Sequence, residues 1–178
     1  HVKLAFGEVL YACRIVYVAQ YLVREAAEKF VESRVREGEN LKKDLLAKLS
    51  AMSDIVAYIE EKSPQIIEDY KARLIEKVDE LAINTQIDDQ RIAAEVTMYA
   101  DKVCVDEEVV RLRSHIDSTI KILTEGGAVG RKLDFIVQEM NREANTILSK
   151  ANSLIISDKG IDLKTEIEKV REQIQNIE

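Results

Sequence analysis

Punctuation is almost absent from this chain. One proline, Pro64, and six glycines serve 178 residues, and aromatic residues make up only 5%, with no tryptophan. A barrel or a sandwich needs a turn signal every few residues, so this scarcity leaves long helices as the architecture open to the chain. A composition of 46% hydrophobic and 33% charged residues is that of a folded chain with one sizeable core or two small ones. We therefore expect an all-α protein, a long antiparallel helical hairpin followed by a C-terminal helical bundle.

The first helix is expected from near Leu4 into the thirties, and Leu41, Leu45, Leu49, Met52, Val56 and Ile59 extend it as a coiled-coil-like seam. Ser63-Pro64 is expected to break it, with Ser63 as N-cap and Pro64 at the first helical position, where its missing N–H is not needed. A third helix to about Ala82 would close the hairpin. Residues 1–85 then read as an oligomerisation arm and 86–178 as a helical domain. Asn84 to Asp89 is the connection, Asp88 or Asp89 caps a short helix through Ala100, and Asp106 caps the next one, which reaches about Glu125. Gly126 to Gly130 turns the chain, and Ser157 or Asp158 caps the last helix.

A net charge of −7 argues against indiscriminate nucleic-acid binding, but Arg111 to Lys150 carries seven Lys and Arg against five Asp and Glu. A phosphate-bearing partner can be met there without a basic protein overall. Val9 to Val23, the most apolar stretch, has 15 residues with Arg14 among them and falls short of the roughly 20 needed to span a bilayer. Leu10, Tyr11, Ile15, Val16, Tyr17, Val18, Tyr21 and Leu22 cover more than one helical face, so a further domain or a sister subunit is expected against them. The chain opens at His1 without Met, which suits a piece of a longer protein. Cys13 and Cys104 are far apart and belong to no metal-ligand spacing, as reduced thiols of a cytoplasmic protein would.

The most informative helix is GRKLDFIVQEMNREANTILSK, Gly130 to Lys150. Leu133, Ile136, Val137, Met140, Ala144, Ile147, Leu148 and Ala151 form an ordinary buried stripe. Arg131, Asp134, Gln138, Arg142, Asn145 and Ser149 form one polar row, and Lys132, Glu139, Glu143, Thr146 and Lys150 another. Asn, Gln, Thr and Ser are mediocre helix formers, so ordered rows of them call for more than solvation.

RIAAEVTMYADKVCVDEEVVRLRSHIDSTIKIL, GGAVGRKLDFIVQEMNREANTILSKAN and EIEKVREQIQNIE, with REGENL upstream, resemble the C-terminal region of the bacterial YicC/YloC family over roughly residues 30 to 178. The resemblance implies a stress-associated endoribonuclease, dependent on a divalent metal and acting as an oligomer, a hexamer, whose N-terminal domain this chain largely lacks. Where relatives commonly carry Asp-Ile-Ser-Glu-Glu, this chain has Cys104-Val105-Asp106-Glu107-Glu108, so no metal role is carried over to the first position.

Phosphodiester cleavage with Mg²⁺ or Mn²⁺ needs one or two carboxylates, with water and phosphate oxygens completing the octahedron. Glu139 and Glu143, four residues apart on one face, are such a pair. Lys132, Lys150 or an arginine of a neighbouring helix would neutralise them equally well. His115 in RLRSH can take a proton from a 2′-OH or water, or serve as a structural donor. Arg111, Arg131 and Arg142 suit bidentate phosphate contacts and charge stabilisation, or intersubunit salt bridges. Phe135 points away from the buried stripe, toward a stacked base or against another helix or subunit. Gln138, Asn141 and Asn145 suit ribose or base edges, or an interhelical network. GGAVG is a weak phosphate-loop signal, since a helix-to-helix turn needs glycine anyway.

The expected function is thus a metal-dependent endoribonuclease with His115, Glu143 and Arg142 catalytic, Glu139 and Glu143 on the metal, and Arg111, Arg131, Lys132, Gln138, Asn145 and Lys150 on RNA. The alternative is a non-catalytic helical assembly or RNA-binding module in which the same residues fix the oligomer.

Overall fold

A computed structural model describes residues 6–81 and 89–177, and the side chains of residues 11 and 13–80 within the first segment. The described residues form five helices and no strand: α1 (Phe6–Leu81), α2 (Asp89–Val103), α3 (Asp106–Glu125), α4 (Gly130–Lys150) and α5 (Leu154–Ile174). The all-α expectation holds. Internal contacts separate two compact units, His1–Lys43 and Asp44–Glu178. In the first unit α1 carries exposed i,i+4 pairs, Arg24–Glu28 at 3.0 Å and Glu25–Lys29 at 2.7 Å, and its large apolar side chains from Tyr11 to Val35 are exposed.

The second unit is built on the seam of α1. Leu45, Leu49, Met52, Val56 and Ile59 are fully buried, and Leu41 before them is half-buried. The expected break at Ser63-Pro64 does not occur: α1 is one helix of 76 residues with Pro64 inside it, so the hairpin is not formed. The reason is phase. The four-three spacing of the seam runs on through Ser63, Ile66 and Tyr70, all half-buried, while Pro64 and Glu60, whose carbonyl the proline leaves without a donor, are exposed. Ser63 does not cap a helix either; its hydroxyl donates to the Ile59 carbonyl at 2.7 Å.

α2 lies beside the distal part of α1, where the rings of Tyr70 and Tyr99 stack with centroids 3.6 Å apart. Asn84 to Asp88 lie outside the described residues, and Asp89 is the first residue of α2. Val105, not Asp106, is the N-cap of α3, and Asp106, Glu107 and Glu108 fill the first turn, where negative charge meets the positive helix end. Gly126 (φ 74°) and Gly127 (φ 96°) end α3 in a backbone conformation that side chains resist. The N-cap of α5 is Ser153, four residues before Ser157, the first of the two expected caps, and the Ser157 N–H already donates to the Ser153 carbonyl at 2.9 Å.

α3, α4 and α5 pack consecutively and antiparallel, with Leu112 and Ile116, Leu133, Met140 and Ile147, and Leu163 and Ile167 buried between them. α1 joins this bundle through Glu60 to Arg113 of α3 and through the Tyr58 ring under Lys159 of α5. α4 and α5 approach closely at Gly160, where a Cβ would lie 2.6 Å from Leu148 Cδ2.

Candidate functional site

The buried stripe of α4 is as expected: Leu133, Val137, Met140, Ala144 and Ile147 are buried, and Ile136, Leu148 and Ala151 half-buried. Its two polar rows differ in depth. Arg131, Gln138, Arg142, Asn145 and Ser149 are exposed and Asp134 half-buried, whereas the second row sinks from exposed Lys132 through half-buried Glu139 to buried Glu143.

That second row meets α3. Lys150 Nζ of α4 donates to Glu108 Oε1 of α3 at 2.7 Å, and Arg111 of α3 stands 3.6 Å from Glu143 Oε1 of α4. Each helix therefore contributes one carboxylate and one cation to a crossed pair of ion pairs. Glu108 and Glu143, at 5% and 8% exposure, are the buried charged residues among those described. Arg111 is divided, since it also pairs with Glu107 one turn earlier on its own helix.

The remaining candidates are less concentrated. Glu139 takes a hydrogen bond from Arg142 at 2.9 Å, and Gln138 donates to Asp134 at 2.8 Å, both within α4. Arg131, Lys132 and Asn145 make no side-chain hydrogen bond or ion pair among the described residues and are open to a ligand. His115 is half-buried on α3, one turn from Arg111; its carbonyl accepts from Thr119 at 2.8 Å, while its imidazole has no partner among the described residues. Asn141 belongs to the other side of α4, donating to Glu168 of α5 at 3.4 Å, in keeping with an interhelical network. Phe135 is 64% exposed. Among the described residues no group of three or more His, Cys, Asp or Glu is gathered as a metal cage. Any cation held here would keep water or phosphate oxygens on much of its shell.

Glu108 is the residue that sequence reasoning missed, naming it only as the last position of Cys104-Val105-Asp106-Glu107-Glu108. Its signal was readable: it stands four residues before Leu112 and eight before Ile116, on the stripe that α3 buries. A carboxylate at a core position needs a partner from another helix.

Comparison with known proteins bears on this arrangement. The model of the endoribonuclease YicC-like C-terminal family matches residues 59–178, which contain the whole α3/α4 face. The chain belongs to that family. It is 41% identical to the probable endoribonuclease YicC of Clostridioides difficile (strain 630) over 157 residues, 88% of this chain and 54% of that protein. It is 38% identical to the probable endoribonuclease YicC of Haemophilus influenzae (strain ATCC 51907 / DSM 11121 / KW20 / Rd) over 149 residues, 84% of this chain and 51% of that protein. The chain thus spans about half the length of these YicC relatives. Among the described residues no helix is long and apolar enough to cross a membrane.

Proposed function

We propose that the chain serves a metal-dependent endoribonuclease that acts as a stress-associated cytoplasmic homo-oligomer on single-stranded or looped RNA. The observation that carries this reading is the family match over residues 59–178, with curated relatives named as probable endoribonucleases. Oligomerisation is supported by the exposed apolar side chains of α1 from Tyr11 to Val35.

The donor set suits Mn²⁺ or Mg²⁺. Glu143 is nearly buried, yet its guanidinium neighbour stands at 3.6 Å, beyond a charge-assisted hydrogen bond, so its oxygens keep lone pairs for a hard cation. Glu139, one turn earlier and half-buried, is the second carboxylate in reach on the same face. A divalent cation bound there would supply Lewis-acid polarisation of the phosphoryl group. The protein's own part is to position and neutralise. Arg131 and Lys132, free of ion pairs among the described residues, grip backbone phosphate, while Lys150, Gln138 and Asn145 contact phosphate, ribose or base edges. Arg111 and Arg142 stabilise charge that develops on the phosphate. His115, whose imidazole is unengaged, moves the proton of a 2′-OH or of water.

The test is cleavage of a labelled RNA with Mn²⁺ by the wild type and by Glu143→Gln; equal cleavage by both would remove the metal site. Product ends separate the proton paths: a cyclic phosphate follows from 2′-OH attack, and linear ends from attack by water. A second reading, a non-catalytic RNA-binding module, is favoured by the Arg142–Glu139 and Gln138–Asp134 contacts, which tie the polar rows to themselves. EDTA distinguishes it, because a passive binder retains RNA after chelation.

A further inference from the structure

α4 carries one exposed large apolar side chain, Phe135, and its ring stands amid polar surface. Arg131, Phe135, Gln138 and Arg142 follow one another at intervals of four, three and four residues, all exposed, so they form a single line along the helix. The ring's neighbours one turn away are Arg131 and Lys132 on one side and Gln138 and Glu139 on the other, none of them apolar. Among the described residues no other ring and no cation lies over its face. A phenyl ring that anchors a protein interface sits within an apolar patch from which charge is depleted. This ring is isolated instead. Val110 of α3 adjoins Arg111, which meets Glu143 two turns beyond Phe135, and Ile161 of α5 follows Gly160, which meets Leu148, about 20 Å along α4 from Phe135. The charge beside the ring suits phosphate. Arg131 and Lys132 make no hydrogen bond or ion pair among the described residues, whereas the nearby acids are engaged, Asp134 by Gln138 and Glu139 by Arg142. An aromatic face flanked by unengaged cations holds an unpaired nucleotide, base on ring and phosphate on cation.

We infer that Phe135 is the stacking platform for one unpaired base, with Arg131 and Lys132 on the phosphates beside that nucleotide, and that this ring selects single-stranded over duplex RNA. The assignment rests on the reading of RNA as the substrate given above and is independent of the metal. Stacking needs a base whose face is free. In an A-form duplex the base faces are taken up by their neighbours, and the accessible groove offers hydroxyls and base edges instead. The two cations attract either form of RNA through its phosphates, so the ring alone distinguishes them.

The test is equilibrium binding of the 178-residue chain to a short labelled oligoadenylate and to an RNA duplex of the same length. EDTA is present to stop metal-dependent cleavage, since neither the ring nor the two cations needs the metal. Phe135→Leu keeps an apolar side chain of similar size at an exposed position, so the core is untouched, but it removes the flat face. It is expected to weaken oligoadenylate binding by about tenfold or more and to change duplex binding by less than about twofold. Phe135→Trp is expected to bind oligoadenylate at least as tightly as the wild type. The slope of log affinity against log salt is expected to be unchanged in Phe135→Leu and to fall by about 0.7 in Arg131→Gln, which separates stacking from charge. If the wild type binds oligoadenylate and Phe135→Leu binds it equally well, or loses both RNAs alike, the role of Phe135 is refuted while the RNA reading stands. A smaller assembly of Phe135→Leu by sedimentation, with oligoadenylate affinity intact, would make the ring a subunit contact and refute it too. If the wild type binds neither RNA, the RNA reading and the role of Phe135 fall together.

Discussion

Removing one cation from each crossed pair at the α3/α4 seam should cost very different amounts. Lys150 holds Glu108, 5% exposed, at 2.7 Å, so Lys150→Met strands a buried carboxylate. Breaking a buried pair by deleting one partner costs about 3–5 kcal/mol. The 30% exposure of the Lys150 side chain lets water reach the rim of the pair, which moves the expectation to about 2–3 kcal/mol. Arg111 is 53% exposed, stands 3.6 Å from Glu143 and shares its charge with Glu107. Arg111→Met should therefore cost no more than about 1 kcal/mol. At about 2–4 °C per kcal/mol for a chain of this size, Lys150→Met lowers Tm by about 4–12 °C and Arg111→Met by about 4 °C or less. Adding Glu108→Gln to Lys150→Met should recover most of the loss, because the stranded charge disappears. Calorimetry and urea titration at neutral pH in metal-free buffer measure all four proteins. An Arg111→Met loss as large as that of Lys150→Met, or a double variant no more stable than Lys150→Met, would refute the assignment of buried charge to Glu108.

Pro64→Ala should stabilise the chain by about 1–3 kcal/mol, since proline inside a helix costs about 3 kcal/mol and part of that is already relieved by the exposed position; a lower urea midpoint would count against an uninterrupted α1. Gly160→Ala sets a helix gain of about 1 kcal/mol against overpacking of about 1–3 kcal/mol from a Cβ at 2.6 Å from Leu148. A net loss of up to about 2 kcal/mol is expected, with a double-mutant cycle showing that Leu148→Ala relieves it. The Tyr70 phenol should titrate above its ordinary value of 10.0, chiefly because desolvation disfavours the phenolate and then because the Glu95 carboxylate lies beside it. The sign follows: this contribution to stability is intact below pH 10.0 and is lost as pH rises through the folded value. Ultraviolet difference titration against Tyr70→Phe measures the shift, and Glu95→Gln should reduce it.

The fold was legible wherever one face alternated cleanly with another. The seam from Leu45 to Ile59, the stripe of α4 and the glycine turn at Gly126 and Gly127 follow from period and backbone freedom, and the structure holds all three. Pro64 was misread because a local rule was set above a longer-range one. Proline after serine is a good helix start, but the apolar phase runs unchanged from Ile59 through Ser63, Ile66 and Tyr70. A true break would have let that phase shift. The caps failed for a related reason: Val105 and Ser153 start α3 and α5 without side-chain cap hydrogen bonds, so Asp106 was only the nearest residue of capping type, and Ser157 lies one turn inside a helix that Ser153 already opens.

Legibility of the candidate site divides by depth. One helix's sequence displays its own rows, so exposed Arg131, Lys132 and Asn145 could be named from α4 alone. What a row meets depends on its neighbour, and no periodicity within α4 reveals that Lys150 reaches Glu108 or that Glu143 faces Arg111. The sharper clue lay in reading both helices together. Each places one glutamate on its own apolar stripe, Glu108 ahead of Leu112 and Glu143 between Met140 and Ile147. Both positions are largely desolvated, so each charge requires an opposite charge from across the interface. The crossed ion pairs meet this requirement for Glu143 only loosely, at 3.6 Å, and for Glu108 through a single oxygen. An antiparallel pair of helices that needed nothing more than mutual adhesion would gain by placing leucine at both positions. The seam keeps two carboxylates instead, each met by one cation from the opposite helix, so its pairing is specific in register where a leucine pair would not be.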